Sequence, residues 1–553
     1  MNRRLEKLSL ATIAILFAMA SCIKMPENKV DPKPEPPQPP VNTTAKNLAE
    51  LKVSYFAVEP SINDGVHMPI IFIDKSDPTS TFNGVKEIRY YKADLSSVKA
   101  TFTSNASKVE VSSVQQTSGV TSNNMSSPIK YRFYALDGNY REMEIKLTNP
   151  ENSYSGLQLL VVNMNNNAPI ISKDEWLPGN IKLDKQLSQY QNVKYDLNVK
   201  GRGNSTWSMP KKPFALQLKD KNSLLGMTKH KRWALLANYG DKTLLRNKVS
   251  FEIAKRTKLS WTPDSRFVEL ILNGEYMGNY LLVEQIRRDP NRVNVAETDD
   301  KAQGDAITGG YIIELDRYNK SEPGCIILNR SKLPALVKDP EIMNSQQKQY
   351  ITDYLNNIET LLYKDVPDSL EYGQYIDINS FIDYWIVYEL TGNRDIRLPG
   401  SCYMYKDINK KLCAGPVWDF DLTTFMGGDS FILANYDPQP GSPDYETYGH
   451  GGLWFGKLFK DPKFKAKAKA RWAELYTSGV FNTIPQFIDQ EANLIKKSAD
   501  FNWKPSGIWN SNMGTGTTGR NHDEELPWVD AVAKMKDNFN KRLARVNYLV
   551  QNL

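Results

Sequence analysis

The run GNRDIRLPGSCYMYKDINKKLCAGPVWDFDLTTF, residues 392–425, decides how the chain is read. Asp395 falls in a short loop just after a strong helix signal over 376–390. The apolar face of that helix is Phe381, Ile382, Trp385, Ile386 and Leu390, and Gly392 suits its left-handed C-terminal stop. A hairpin-like pair of short strands follows, 401–405 and 412–417, turning at 406–411. Asp419-Phe420-Asp421 then closes an apolar strand. Carboxylates are costly in such a setting unless something pairs them, and a divalent cation is a common partner. A loop Asp, a hairpin and a strand-end Asp form the layout of a phosphoryl-transfer site, with the first Asp at the acceptor hydroxyl and the second on Mg²⁺. Taken alone, so short an acidic motif is more often two unrelated turns with solvated acids.

Upstream, an apolar run over 157–162 and a second run lead into VKGRGNSTW, residues 199–207, and then PKKPF, residues 210–214. A glycine-bracketed Arg202 with Asn, Ser and Thr between strands offers N–H groups and a guanidinium to an anion. The GK[ST] ending of a P-loop is missing, so a tight polar turn is the plainer reading. Residues 241–255 read as a helix capped by Asp241, with Leu244, Leu245, Val249, Ile253 and Ala254 buried and Arg246 and Asn247 flanking them. Asn273-Gly274 between 267–272 and 276–283 is a strong hairpin signal, and Glu284 closes the second strand, where an exposed rim residue is the plainer alternative to a role at the site.

Residues 51–150 carry short alternating runs at 53–58, 68–73, 86–91, 108–114, 129–136 and 140–147, separated by Asn, Asp, Gly and Ser. This pattern predicts a β-sandwich of immunoglobulin type, without that fold's cysteine pair, serving as a spacer or binding module. Ahead of it, Arg3, Arg4 and Lys7 precede an apolar stretch over 8–20 that is too short to span a bilayer. The stretch ends in Ala-Ser-Cys, which resembles the lipobox of bacterial lipoproteins, with Cys22 as the acylated residue. Residues 23–46 are proline-dense and read as a semi-rigid tether. The expected divisions are a leader over 1–22, a tether over 23–46, a sandwich over 47–152 and a mixed α and β domain over 153–553.

Beyond the opening run, 427–452 reads as a long loop, 461–476 and 529–551 as helices, and 503–524 as irregular. A chain of 553 residues with 40% hydrophobic and 11% aromatic content is globular and multidomain. Its net charge of +7 is small, and no basic run is interleaved with aromatics, which sets nucleic acid aside as a partner. Cys325, Cys402 and Cys413 are an odd set in an exported chain and are expected as buried free thiols.

RGNSTW…PKKPF, LLANYGDKTLLRN, LILNGEYMGNYLLVEQI, GGYIIELD and GPVWDFD occur in this order. Together they resemble the CotH family of spore-coat kinases and its relatives among exported bacterial lipoproteins. The resemblance implies an atypical, two-lobed protein-kinase-like domain that binds ATP and Mg²⁺ and phosphorylates serine on partner proteins. The overall fold expected is therefore α+β. By resemblance, Asp395 matches the catalytic Asp of the family's Asn-x-Asp loop, and Asp419 matches the metal-binding Asp of its Trp-Asp-x-Asp motif. Asp421 is a second candidate metal ligand, and Arg202, Lys212 and Glu284 are candidates for the nucleotide on charge and position. Spore-coat members carry a glycine and then paired asparagines after the catalytic Asp, where this chain has Ile396 and Gly400-Ser401. Two readings stand at this point. One is a lipid-tethered, extracytoplasmic kinase of the outer membrane acting on serine-rich exported proteins. The other is a non-catalytic adhesin or glycan-binding lipoprotein on the same scaffold.

Overall fold

The computed structural model describes residues 43–62, 66–67, 70–74, 82–87, 93–148, 155–183, 193–504, 507–510 and 523–553. Cys22, the leader and the tether up to residue 42 lie outside the described residues. The structure is 29% helix and 29% strand, a mixed fold as expected.

The described residues between 53 and 148 form two five-stranded sheets that pack face to face. Phe56 of one sheet meets Tyr131 and Phe133 of the other edge-on, at ring separations of 4.9 and 6.3 Å. Aromatic edges prefer this geometry, and these rings fill the core. Strand Ala93–Ser104, which the alternating pattern does not single out, pairs with Val53–Ile62. Only Val98 and Ala100 of it are buried, and Ser and Thr take half of the other positions, so its apolar signal is weak.

Seven strands from Gln158–Met164 to Glu275–Glu284 close into a barrel. Gln158–Met164 runs parallel to Ser265–Leu272 at the closure, and the described neighbours are otherwise antiparallel. Alternation sorts the side chains: Leu160, Val162, Leu216, Leu218, Trp233, Leu235, Leu270 and Leu282 fill the barrel. The opposite faces serve two neighbours. Leu159, Val161, Ile271 and Tyr276 meet Ile70, Ala93 and Leu95 of the sandwich, while Ala234, Leu236, Leu281 and Val283 join the large helical core. Asn273 and Gly274 take positive φ at the hairpin turn, as that dipeptide predicts.

A five-stranded antiparallel sheet follows, with Tyr311–Leu315 at its centre between Pro334–Asp339 and Cys402–Lys406. Among the described residues six α-helices have ten residues or more: α1 (Arg246–Lys255), α2 (Ser345–Leu362), α3 (Ile378–Thr391), α4 (Pro462–Thr477), α5 (Ile484–Asn502) and α6 (Trp528–Gln551). Three shorter ones are Ser369–Tyr372, Phe455–Leu458 and Pro443–Tyr448, the last inside the stretch expected to be a loop. Helix α3 is buried from Phe381 to Thr391, which makes it a core helix with no solvent face. Asp377 caps it by accepting from Ser380 N, and Gly392 ends it at φ 62°. The cysteines described are free, but only Cys402 is buried, while Cys325 and Cys413 are partly exposed.

Three expectations change. Helix α1 begins at Arg246, not at residue 241, because Leu244 adopts φ 65° and the Asp241 carboxylate is committed to Thr243 and Arg246. The second strand of the hairpin is only Leu412–Ala414, so Asp419-Phe420-Asp421 lies in a loop rather than at a strand end. Helices α2 and α5, absent from the sequence reading, bury Ile351, Leu355, Ile358 and Leu362, and Ile484, Ile488, Ile495 and Ala499, at helical spacing.

Candidate active site

A cleft of about 1090 Å³, slightly above the usual size of small-molecule sites, separates the barrel from the second sheet of the mixed domain, the one centred on Tyr311–Leu315. The loop between strands Val193–Gly201 and Phe214–Asn222 forms part of its roof. Gly203 takes φ 87°, and a Cβ there would collide with Thr206 Oγ1, so only glycine fits this turn. Arg202 lies 5.4 Å from the Trp418 ring, in contact with the residue that precedes Asp419.

Asp419 and Asp421 line the cleft on either side of the buried Phe420. Phe420 stacks on Tyr388 of α3 at 5.0 Å and donates its N–H to Asn247 Oδ1 at 2.8 Å. Asp419 has φ 67°, in the left-handed region that a non-glycine residue adopts at a cost. Asp419 is exposed, whereas Asp421 is 8% exposed. Among the described residues, no group of three or more His, Cys, Asp or Glu could hold a metal ion. Two carboxylates nevertheless fit Mg²⁺, which keeps several waters and takes one or two carboxylates plus substrate phosphates.

The backbone of Asp395 opens a single 3₁₀ turn, Asp395–Arg397, and its side chain is outside the described part of the structure. Asn393 ties that turn to the loop bearing Asp419. Its Nδ2 donates to the Asp419 carbonyl at 3.2 Å and to Thr424 Oγ1 at 3.0 Å, and its Oδ1 accepts from Ile396 N at 3.3 Å. Arg394 N donates to the Thr423 carbonyl at 3.3 Å. The two aspartate-bearing segments are therefore one hydrogen-bonded unit.

Arg202, Asp419 and Asp421 thus share the cleft, and the other two nucleotide candidates, Lys212 and Glu284, do not join them. Lys212 Nζ donates to the Trp207 carbonyl at 2.7 Å, and Lys212 is absent from the cleft lining. Glu284 is 2% exposed, not a rim residue, and also lies off the lining. Its carboxylate accepts from Thr228 N at 3.2 Å and Asp264 N at 3.1 Å, while burial raises its pKa.

Three residues that the sequence reading gave no role shape the site. Lys211 is fully buried beneath a recess shared by Arg202, Asp419 and Asp421. Its ammonium donates to Ala237 O at 2.9 Å, Asn502 Oδ1 at 2.8 Å and Asn279 O, and burial pushes its pKa well down. All three donors of the ammonium are used, so Lys211 braces the recess. Glu314 and Asp316, at the end of strand Tyr311–Leu315, line the cleft floor. Glu314 accepts from Tyr403 OH at 2.6 Å, and Asp316 accepts from Ser401 N and Tyr318 N, each at 2.8 Å. Burial, with Glu314 nearby, pushes the Asp316 carboxyl up to about 6. The signal that flagged Asp419, acids ending an apolar strand, is present in IIELD as well.

At the far end of the cleft Lys200 and Arg232 lie 5.0 and 4.8 Å from the Trp176 ring. Burial lowers the pKa of both, and Arg287 adds to the effect by repulsion.

Residues 199–544 match the family model described as CotH kinase protein. The chain belongs to the CotH kinase family. No curated protein matches it. The CotH match takes in the Arg202 loop, α1, both aspartate segments and most of α6. It begins after strands Gln158–Met164 and Leu177–Leu183, which the closed barrel includes. The kinase-like character of the chain rests on this membership.

Proposed function

We propose that the protein is a membrane-tethered, extracytoplasmic kinase that transfers phosphate from ATP to serine side chains of exported proteins. The observation that carries this reading is the joining of the Asp395 turn to the Asp419 loop through Asn393, beside a cleft that holds Arg202. A transfer site needs its acceptor-binding and metal-binding carboxylates held at fixed separation, because positioning supplies much of the rate. In this reading the barrel is the small lobe and the second sheet with its helices the large one. Asp419 and Asp421 would hold Mg²⁺, whose charge would offset that of the phosphates. Arg202 would bind a phosphate oxygen, and Asp395 would accept a hydrogen bond from the acceptor hydroxyl. The N-terminal sandwich, of immunoglobulin type, would act as a spacer above the tether.

The test is a thermal shift with a nucleotide and Mg²⁺, which should raise the melting temperature by mass action on the native state. Asp419→Asn removes one charge at nearly constant volume, so the shift should fall by about half or more while the apo protein melts unchanged. An undiminished shift in Asp419→Asn would remove that residue from the metal site. A second reading, a non-catalytic adhesin or glycan-binding lipoprotein, draws on Ser401. Its hydroxyl stands where a kinase uses an amide for a second metal, and its backbone N–H is spent on Asp316. That reading expects no nucleotide shift in either protein.

Tethering is assigned to Cys22 and to the outer membrane. No helix among the described residues is long and apolar enough to cross a membrane. Acyl chains would then supply the anchoring energy, so Cys22→Ser should leave the membrane fraction on a carbonate wash. Equal retention of that variant would sink the lipoprotein assignment.

A further inference from the structure

The loop that presents Asp419 and Asp421 is gripped from behind by a buried charge cluster. Arg246 opens α1 and is 1% exposed. Its Nε donates to the Thr424 carbonyl at 2.9 Å, while its two terminal nitrogens pair with Asp241 and Asp523. A guanidinium is a rigid fork, so three acceptors together fix the direction in which it points. Asn247, the next residue, accepts from Phe420 N and donates to Asn238 Oδ1 at 3.0 Å. The first turn of α1 therefore holds both ends of residues 420–424.

The two carboxylates on Arg246 are not equivalent. Asp241 belongs to the same turn and also accepts from Thr243 N at 2.9 Å and Arg246 N at 2.8 Å. Asp523 comes from 277 residues away, is 1% exposed, and leaves its Oδ1 buried without a hydrogen-bond partner. An orphaned oxygen there is costly, and the pairing with Arg246 is what Asp523 gains in exchange. Other C-terminal groups reach the same turn: Trp503 Nε1 donates to Lys242 O at 2.9 Å, and Trp528 Nε1 to Thr243 O at 3.0 Å.

We infer that Asp523 is a positioning residue of the transfer site, setting the 420–424 loop through Arg246. Presentation of Asp419 and Asp421 to the cleft then depends on the C-terminal segment being seated. The consequence for activity rests on the kinase reading above, whereas the effect on the loop does not.

The experiment reads both. Hydrogen exchange of the 418–426 segment in the nucleotide-free protein should quicken by about tenfold in Asp523→Asn. The Mg²⁺ concentration that half-saturates the nucleotide-induced thermal shift should rise by about tenfold, and kcat should fall similarly with acceptor KM within a few-fold. Asp523→Glu keeps the charge and should lie between the two. If Asp523→Asn does not fold, Arg246→Lys takes its place, since a lysine cannot reproduce the fork. A variant that melts earlier yet keeps wild-type exchange at 420–425 and wild-type Mg²⁺ dependence would show a merely structural pair and overturn the inference. A wild type that gives no nucleotide shift would refute the kinase reading, and the exchange result would still decide the loop.

Discussion

Asp395→Asn is expected to cut phosphoryl transfer by about 10²-fold or more while nucleotide affinity stays within a few-fold. The segment that carries Asp395 explains the asymmetry. Helix α3 is buried along its length and stops at Gly392, which fixes where the chain leaves the core. Asn393 then binds the Asp419 carbonyl, Thr424 Oγ1 and Ile396 N, so the turn at 395–397 is held whatever residue stands at 395. Exchanging a carboxylate for an amide of the same size leaves those bonds in place. It removes the acceptor that would orient a serine hydroxyl and receive its proton. In the proposed reading nucleotide and metal would be held by Arg202, Asp419 and Asp421, which the change does not touch. The assay is transfer of labelled γ-phosphate to serine-rich exported proteins or to the chain itself. Undiminished transfer in Asp395→Asn would mean that the acceptor carboxylate lies elsewhere, and an adhesin predicts no transfer from the wild type at all.

Local signals carried much of this site into view. The Asn-Gly hairpin, the Gly392 stop and the apolar face of α3 each depend on neighbours a few residues away, and each stands in the structure where the pattern put it. The Asp419 loop escaped because its backbone is set by distant partners. Asn247 holds Phe420, and Arg246 holds Thr424, across more than 170 residues of sequence. Lys211 and Lys212 are adjacent and chemically alike, so charge and position could not separate them. One is sealed under the recess by groups from three parts of the chain, and the other bonds a carbonyl five residues back. The start of α1 was misplaced for a related reason. Asp241 has the chemistry of a helix cap, but its carboxylate is drawn to Arg246, and periodicity does not register such a pull.

Arg542→Met should destabilise the protein by roughly 3–5 kcal/mol, the usual cost of leaving one partner of a buried ion pair behind. Arg542 is 2% exposed and Glu389 is 0% exposed. The guanidinium donates to the Glu389 carboxylate at 2.9 Å, to the Glu389 carbonyl at 2.7 Å, and to the carbonyls of Gly428 and Ser430 at 3.1 and 2.8 Å. Glu389 in turn accepts from Trp385 Nε1 at 2.9 Å and from the N–H groups of Ile432, Leu433 and Ala434. This pair joins the end of α3, the 428–434 segment and α6, four residues before Asn393. Methionine keeps much of the volume and removes every donor. The urea midpoint followed by tryptophan fluorescence should drop accordingly. Its pH dependence identifies the cause. Burial already raises the Glu389 carboxyl, and Arg542 opposes that rise, so removing the arginine lifts it further. A folded-state pKa above the unfolded value means that the native state binds the proton more readily. The penalty is therefore full above the folded pKa and shrinks as pH falls through it. The gap between Arg542→Met and wild type should narrow on acidification from neutrality. A gap that stays constant would assign the cost to the lost carbonyl bonds rather than to a stranded carboxylate.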